Sequence, residues 1–458
     1  MDQKNIIARM DCLIRGSFYV LILCLPVSIA LVESFSGFAI FFFAIKRVLI
    51  TCSKGTRGFK ALMEVVRPPA SFLDRPLGFF IAAVVLSVVF SQHHHLSVVA
   101  FVGKTLQGLY VYSAFLEVFT DAGSVDNFIF VWFASALITG SSGLFQYFFG
   151  HDFLRNTALV GNRVSSSLRH ANDLGAYIVA VCPLLLVLLL HWKAFCMQSD
   201  SNIKGFGDKP SWWVGVFLFA ACVVLVVCLG LTFSRASWVA FFAAIVLVGL
   251  YKRKNIFIVF LIIMGFIMLF TPIMVKTRDV SLIMDDVLVQ TQNINQTAKD
   301  HGILSKEYIQ AILNSAVRQS GKGRSLYWRE ALGIIDDYPV FGAGLNTYSR
   351  VAPAYKVSWG GYPHNSYLQI AAELGLVGLG VFLWMLWTLF RGSFRCINRM
   401  PVGYLRCVLI GTLAGLFAYL VQSFFDTTFY SVQLSMLLWI MMALAVAVQK
   451  IFRSQAVP

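Results

Sequence analysis

Long apolar runs separated by short polar segments repeat along most of the chain. A helix that crosses a bilayer needs about 20 apolar residues, and about twelve runs approach that length. They cover residues 17–32, 36–51, 77–92, 96–120, 127–149, 173–192, 211–232, 236–251, 255–274, 366–390, 403–425 and 430–449. The first two runs are short and close together. The pattern predicts an all-α polytopic membrane protein with about twelve transmembrane helices.

One polar segment, from Val275 to Pro363, is far longer than the others and has helical periodicity of its own. The stretches "KEYIQAILNSAV" and "RSLYWREALGIIDDYP" carry apolar residues three and four positions apart, as amphipathic helices do. The second stretch ends at Tyr338-Pro339, where a helix is expected to stop. We therefore expect three parts in the chain: a bundle of about nine spans over 1–274, a helical loop or lid over 275–365, and a bundle of about three spans over 366–458.

Composition and charge agree with a membrane protein. Of the residues, 58% are hydrophobic and 13% are charged, whereas soluble domains are closer to about half and a quarter. The formal net charge of +15 fits either nucleic acid or anionic lipid as a partner. The positions of the basic residues exclude nucleic acid as the explanation, because these residues cluster in alternate segments between the apolar runs. The protein is then embedded among membrane lipids.

The clustered basic residues also predict the orientation. They are Lys4, Arg9, Arg15, Lys46, Arg47, Lys54, Arg57, Lys60, Arg67, Arg75, Lys193, Lys204, Lys209, Lys252, Arg253, Lys254, Arg391, Arg395, Arg399, Lys450 and Arg453. With twelve spans all of them lie on one side of the membrane, and the positive-inside rule makes that side the cytoplasm. Both termini are then cytoplasmic, and the long polar segment is external.

A second set of cations lies on the external side, where the positive-inside rule disfavours them in short loops. Arg163 and Arg169 lie between the fifth and sixth spans, and Arg235 lies at the turn between the seventh and eighth. The planar guanidinium of arginine grips phosphate through paired hydrogen bonds. Arg235 is therefore expected to face a cavity and hold an external phosphate group; the alternative is an anchor at the membrane interface.

His364 lies at the mouth of the tenth span, in "YPHNSY". Histidine titrates near neutral pH and is the side chain most often used as a general base. Asn365 or Ser366 could cap the span, and Asn365 could also orient a substrate. The alternative for His364 is an incidental residue of the interface.

Four further residues complete the candidates. Arg324 lies in the long external segment with Trp328 one helical turn later; the alternative is an exposed arginine on a loop helix. His170 lies in "SSLRHANDLGAYI", where Asn172 or Asp173 could cap the sixth span, and a turn-like structural role is favoured there. Lys104 lies about 12 Å inside the fourth span, within reach of the surface by snorkelling.

No metal site and no cofactor are predicted. The tract "QHHH" at Gln92–His95 lacks ligand geometry and a carboxylate partner. The tandem acidic pairs Asp285-Asp286 and Asp336-Asp337 come without a third ligand at useful spacing.

Three segments together resemble the O-antigen ligase and polymerase superfamily. They are "SRASW" after a long apolar span, "RSLYWREALGIIDDYPVFGAGLNTY" in the long external segment, and "HNSYLQIAAELGLVGLG" opening the next span, with "SSLRHANDLGAYI" as a looser match. The resemblance covers residues 163–380. It implies a metal-independent transmembrane glycosyltransferase at the periplasmic face of the bacterial inner membrane, and we expect a monomer.

The resemblance also implies a reaction and roles. A glycan on undecaprenyl diphosphate passes with inversion to a hydroxyl of lipid A-core in a ligase, or to another lipid-linked chain in a polymerase. By matching position, His364 is the base and Arg235 and Arg324 bind the diphosphate, with Arg163 or Arg169 assisting. The supporting residues are Asn365, Trp328, His170 and Lys104.

A ligase is favoured because one external segment dominates, whereas polymerases commonly have two sizeable ones. A polymerase and a protein O-oligosaccharyltransferase of the same superfamily stay as alternatives. A secondary transporter or anion channel is the alternative from another class, and it would use the same external cations as a vestibule. Transporters often carry inverted repeats and helices broken at the bilayer midplane, and neither is evident in this sequence.

Overall fold

The computed structural model describes residues 3–197, 212–252, 323–355 and 361–456. Within these ranges the regular secondary structure is helical, and the loop at 151–163 contains two isolated β-bridges. The helices are α1 (Gln3–Cys24), α2 (Ile29–Ser53), α3 (Gly58–Val66), α4 (Asp74–Val89), α5 (His94–Ala100), α6 (Gln107–Val118), α7 (Ala122–Phe149), α8 (Ala171–Met197), α9 (Trp212–Leu231), α10 (Arg235–Lys252), α11 (Gly323–Asp337), α12 (Tyr348–Val351), α13 (Ser366–Ile397), α14 (Tyr404–Phe425) and α15 (Val432–Ala456). A π-helical turn, Phe101–Leu106, joins α5 to α6 without a break, and a 3₁₀ turn, Ala352–Tyr355, follows α12.

Seven of these helices are long and apolar enough to cross a membrane: α2, α7, α8, α9, α13, α14 and α15. This confirms the prediction of a helical polytopic membrane protein. The predicted span at 255–274 and the predicted helix "KEYIQAILNSAV" lie outside the described residues, so the count of twelve spans stays a prediction.

Among the described residues, the predicted bounds are close to the observed ones from the third span onwards, and they are wrong at the first. We expected that span at 17–32, whereas α1 begins at Gln3 and ends at Cys24. Pro26 comes two positions after Cys24, and proline cannot continue a helix because it lacks the backbone donor. Ser28 then caps α2 by accepting from the backbone amide of Leu31 at 3.4 Å. Apolarity alone hid this turn, because the residues around it are as apolar as a span.

The core of the bundle lies around α8 and α15; in their most apolar stretches, 83% and 89% of the residues are buried. Along α8 runs α14 in the opposite direction, and two of its glycines allow a close approach. A Cβ at Gly411 would lie 2.6 Å from Leu184 Cα, and one at Gly415 would lie 2.0 Å from the carbonyl oxygen of Ala180. Small residues four apart are a common way for membrane helices to pack tightly. This antiparallel pair brings the end of α14 to the start of α8.

Helix α13 contains a break that the preceding loop fills. Gly375 has φ 71° and ψ 178°, which only glycine adopts readily. The carbonyls freed at Ala372 and Glu373 accept from the backbone amides of Ala343 and Gly344 at 2.9 and 3.1 Å, and the amide of Leu376 donates to Pro339 at 2.8 Å. Backbone groups inside a membrane protein need such partners. The loop therefore holds the first turns of α13 in place.

Helix α11 packs over those same first turns. A small apolar cluster joins the two helices and the loop between them; it contains Ala331, Ile334, Ile335, Ala343, Tyr348, Val351, Ala352, Ala371 and Ala372. The predicted helix in "RSLYWREALGIIDDYP" is confirmed, with its end at Asp337, two residues before Pro339. The division of the chain into 1–274, 275–365 and 366–458 stays a prediction.

Candidate functional site

His364 lies immediately before α13 in a strained conformation. Its φ of 47° is uncommon for a residue other than glycine, and such strain concentrates at functional sites. Asn365 caps the helix by accepting from the amides of Tyr367 and Leu368 at 2.9 and 3.0 Å, as predicted. Tyr327 of α11 meets the imidazole ring edge-on, with the ring centroids 5.6 Å apart.

Asp426 is the partner of His364. The Oδ1 atom of Asp426 lies 3.2 Å from Nδ1 of His364. The carboxylate is enclosed, since its side chain is 14% exposed, whereas the His364 side chain is 43% exposed and can meet a ligand. Burial raises the pKa of Asp426, but the hydrogen bond and the charge of His364, together with bonds from the Thr427 amide and Asn172, lower it below its ordinary value. The carboxylate is therefore held ionised.

Asn172 and Arg163 extend this contact into a chain of hydrogen bonds. Asn172 donates through Nδ2 to Oδ2 of Asp426 at 2.7 Å. Arg163 donates through Nη2 to Oδ1 of Asn172 at 2.7 Å, and through Nε to the carbonyl of Thr232 at 2.9 Å. The prediction that Asn172 or Asp173 caps the sixth span is wrong, because α8 already begins at Ala171. The side-chain amide of Asn172 instead binds Asp426, which follows α14. The chain ties together segments that are distant in sequence.

His170 and Arg169 lie beside this chain, and both are exposed. Desolvation of the ring and the positive charge of Arg169 lower the pKa of His170, against the opposing charge of Asp426. The imidazole of His170 is therefore biased towards its neutral form.

Arg235 is the first residue of α10 and is exposed. It comes three positions after Thr232, whose carbonyl Arg163 holds. Ser234 and Ser237, on either side of it, approach the start of α8, where a Cβ at Gly175 would lie 2.1 Å from Ser237 Oγ. The turn that carries Arg235 is therefore attached to the segment that carries Arg163 and Asn172.

Arg324 is in the first turn of α11, and its side chain lies outside the part of the chain that the structure describes. Trp328, one turn later, packs edge-on against Phe424 with the ring centroids 6.0 Å apart. The indole nitrogen of Trp328 is enclosed and has no hydrogen-bond partner among the described residues. Phe424 comes two positions before Asp426, so α11 packs next to the site, against the end of α14.

Lys104 lies in the π-helical turn, and its side chain contacts residues beside the His364 site. Its Nζ atom donates to Oδ1 of Asn346 at 2.8 Å and lies 4.4 Å from the ring centroid of Tyr430. Tyr430 comes four positions after Asp426. The structure thus brings Lys104 to the same end of the bundle as His364, on a separate set of partners.

Asp426 was missed in the sequence. The signal was a single acidic residue in "FFDTTFY", a short polar turn between two long apolar runs. Nothing in that turn shows a contact with Asn172, which is 254 positions away. Glu373 and Gln369, buried in the first half of α13, were missed too, although polar side chains inside a predicted span are themselves a sign of function.

An apolar groove of about 660 Å³ opens beside the site, between α10, α13 and α14. Its lining is almost wholly hydrocarbon; it consists of Val239, Leu247, Tyr367, Phe390, Phe394, Phe417, Leu420, Val421, Phe424 and Phe425. The groove reaches Phe425, the residue directly before Asp426. Among the described residues there is no cluster of three or more His, Cys, Asp or Glu that could hold a metal ion, and "QHHH" forms none.

One known protein family matches part of the chain that carries this site. Residues 220–383 match the family described as O-Antigen ligase, and this stretch contains Arg235, Arg324 and His364. Asn172 and Asp426 lie outside it. No curated protein matches the chain. Members of the matched family are membrane glycosyltransferase-like enzymes of the ligase and polymerase type. The match supports the O-antigen ligase superfamily as the family of this chain.

Proposed function

We propose that the protein is an O-antigen ligase-type glycosyltransferase of the bacterial inner membrane. It moves a glycan from undecaprenyl diphosphate to a hydroxyl of a lipid A-core acceptor at the periplasmic face, without metal or cofactor. The observation that supports this best is the hydrogen-bonded chain from Arg163 through Asn172 and Asp426 to His364.

His364 is the general base in this proposal. Its Nδ1 atom faces the Asp426 carboxylate at 3.2 Å, so the proton of the neutral ring resides there and Nε2 carries the lone pair. Nε2 accepts the proton of the acceptor hydroxyl while that oxygen bonds to the anomeric carbon. The bond between the anomeric carbon and the diphosphate oxygen breaks, and the lipid diphosphate leaves with the electron pair. Asp426 stabilises the imidazolium that forms.

The leaving diphosphate accumulates negative charge, and fixed cations stabilise it. Arg235 and Arg324 fill this role, and Arg169, exposed beside the chain of hydrogen bonds, assists them. Arg163 has a different task, because its guanidinium already binds Asn172 and the carbonyl of Thr232. It positions Asn172, and through Asn172 it holds Asp426.

The apolar groove takes part of the isoprenoid chain of the donor. Its hydrocarbon lining offers no partner for a glycan, and it ends next to Asp426. If the lipid lies in the groove with its first phosphate at the end next to Asp426, its sugar–phosphate bond faces His364. This arrangement connects the membrane location of the site to a lipid-linked substrate.

A reconstituted assay tests the proposal. The purified protein in nanodiscs is given an undecaprenyl diphosphate-linked oligosaccharide with lipid A-core, a second lipid-linked oligosaccharide or a serine-containing peptide as competing acceptors, in the presence of a chelator. We expect transfer to lipid A-core. Transfer only to the second lipid-linked chain would identify a polymerase, and transfer to the peptide a protein O-oligosaccharyltransferase. Flux of the glycan lipid or of anions across the bilayer of sealed proteoliposomes that contain the protein, with no transfer, would identify a transporter.

A further inference from the structure

A second cavity lies on another face of the first turns of α13. Its volume is about 120 Å³, and it lies between α13, α15, the π-helical turn and the loop before α12. The polar residues that line it include Lys104, Thr105, Asn346, Ser366, Gln369 and Glu373, and its aromatic lining includes Phe429, Tyr430 and Trp439. The apolar groove has no comparable polar wall.

The polar wall is built from a network around Glu373. Its Oε2 atom accepts from the backbone amide of Asn346 at 2.8 Å, and its Oε1 atom accepts from Nε2 of Gln369 at 3.1 Å. Lys104 donates to the side chain of Asn346 at 2.8 Å. A carboxylate, an ammonium and two amides therefore surround one small space inside the helical bundle.

Two polar groups of this wall can form further hydrogen bonds. The Oε1 atom of Gln369 is enclosed and has no hydrogen-bond partner among the described residues. Buried amide oxygens almost always have a partner, which can be a ligand or water. The ammonium of Lys104 has three donors, of which one goes to Asn346. Lys104 also lies in a π-helical turn, and such turns occur frequently at functional sites.

The cavity adjoins the His364 site through two contacts. Ser366, which lines the cavity, donates through Oγ to the carbonyl oxygen of Asp426 at 2.9 Å. Tyr430, at the cavity wall, packs on Tyr362 with the ring centroids 4.1 Å apart. Tyr362 comes two positions before His364. The cavity therefore lies beside the place where a substrate would contact His364.

We propose that this cavity is a subsite for one sugar ring of the glycan substrates, with Gln369 and Lys104 as the residues that recognise it. The inference rests on the proposed glycosyltransferase function. Sugar hydroxyls donate to the amide oxygen of Gln369 and accept from the ammonium of Lys104, and the aromatic walls face the C–H surface of the ring. The volume of about 120 Å³ is that of about four water molecules, so the cavity admits the hydroxyl-bearing edge of one ring and not a disaccharide.

Other ligands fit this space less well. An acyl chain would leave the polar wall without partners. A diphosphate would meet the carboxyl group of Glu373 at short range, and the apolar groove and the exposed arginines suit it better. A sugar from the donor and a sugar from the acceptor have the same chemistry, so the experiment distinguishes them.

The test compares Gln369→Leu and Lys104→Met with the wild type in nanodiscs. Dissociation constants are measured for undecaprenyl diphosphate bearing one N-acetylglucosamine and for undecaprenyl diphosphate bearing none. Transfer kinetics are measured with the lipid A-core acceptor varied. Gln449→Leu is the matched control, because Gln449 is also buried with an unpartnered amide oxygen but contacts Ser393, near the other end of α13.

If the donor sugar occupies the cavity, each variant weakens binding of the sugar-bearing lipid about tenfold or more and leaves the bare lipid unchanged. If the acceptor sugar occupies it, KM for lipid A-core rises by a similar factor while kcat and donor binding stay constant. The control changes neither quantity. The two variants remove different groups on different elements, the π-helical turn and α13, so a folding failure of one, seen in its thermal unfolding, leaves the other as the test.

Folded variants with wild-type donor affinity and wild-type acceptor KM would overturn the sugar subsite. Failure of the wild type to transfer any glycan would instead contradict the proposed function. In that case the two donor lipids still report on the cavity, because their binding does not depend on turnover.

Discussion

At the scale of single residues, the role of His364 depends on Asp426. An imidazole at a membrane edge can be an interfacial residue or a base, and its own position does not distinguish the two. A carboxylate held ionised at Nδ1 fixes the ring and leaves Nε2 for a substrate. Asn172 and the amide of Thr427 bind the same carboxylate, so its orientation does not depend on His364 alone.

Asp426→Asn tests this dependence. The amide keeps the shape of the carboxylate but loses the charge that stabilises the imidazolium, so kcat falls on the order of 10²-fold or more, as for other histidines that lose an orienting carboxylate. Donor binding stays near wild type. Reduced protein stability with a wild-type kcat for the folded variant would show that Asp426 has a structural role only.

Arg235→Ala tests the proposed diphosphate contact. The dissociation constant of undecaprenyl diphosphate is expected to rise about tenfold or more, because a charge-assisted hydrogen bond is lost. Arg235→Lys restores part of the affinity, since an ammonium is a point charge without the planar fork. Arg391→Ala is the control; Arg391 is also exposed but stacks on Trp387 at the far end of α13. Equal binding by all three variants would remove Arg235 from the site.

At the scale of elements, glycines decide how the site is assembled. Gly411 and Gly415 let α14 approach α8, and that approach brings Asp426 to Asn172. Gly375 breaks α13 and admits the loop at 339–344 against the helix. The short first half of α13, which carries Asn365 and His364 at its start, is fixed from both sides by these contacts.

Gly375→Ala is expected to lower the free energy of unfolding by about 2–4 kcal/mol and to reduce transfer. Its Cβ would lie 2.1 Å from the carbonyl oxygen of Val340, and its φ is unfavourable for alanine. Gly380→Ala is the matched control in the same helix, because nothing lies within 4 Å of its Cβ and alanine favours the helix. The measurement is the unfolding midpoint in detergent. Similar midpoints for the two variants would show that the break at Gly375 is not needed.

The sequence was informative about the elements and less so about their pairing. Apolar periodicity predicted α13, α14 and α15 and the cap at Asn365, because length, hydropathy and capping are local properties. It missed the turn at Pro26, because the residues around that turn are as apolar as a span, and it missed the use of Asn172, because that use depends on neighbours in space. The contact between Asn172 and Asp426 follows from the packing of α8 on α14, and no local pattern encodes which helices pair.

At the scale of the whole molecule, the site and the basic residues occupy opposite ends of α13. His364 and Asn365 precede its first residue, whereas Arg391 and Arg395 lie in its last turns. A helix of 32 residues spans about 48 Å, which exceeds the thickness of the hydrocarbon core. On the positive-inside rule we expect the basic end to be cytoplasmic and the His364 end to be periplasmic.

Cysteine labelling tests this orientation. Val160 and Phe59 are exposed to a similar degree, 75% and 77%, and lie on opposite predicted sides. In a background without exposed native thiols, Val160→Cys is expected to react with a membrane-impermeant maleimide in intact cells, and Phe59→Cys only after the inner membrane is permeabilised. The reverse pattern would place His364 in the cytoplasm.

The most direct test of the central claim is glycan transfer and donor binding measured on the same His364→Ala sample. We expect the wild type to transfer glycan from undecaprenyl diphosphate with chelator present, and His364→Ala to lose transfer by about 10²–10⁴-fold while it binds the donor with unchanged affinity. Transfer by His364→Ala within a few-fold of the wild type, or transfer that requires an added divalent cation, would contradict it.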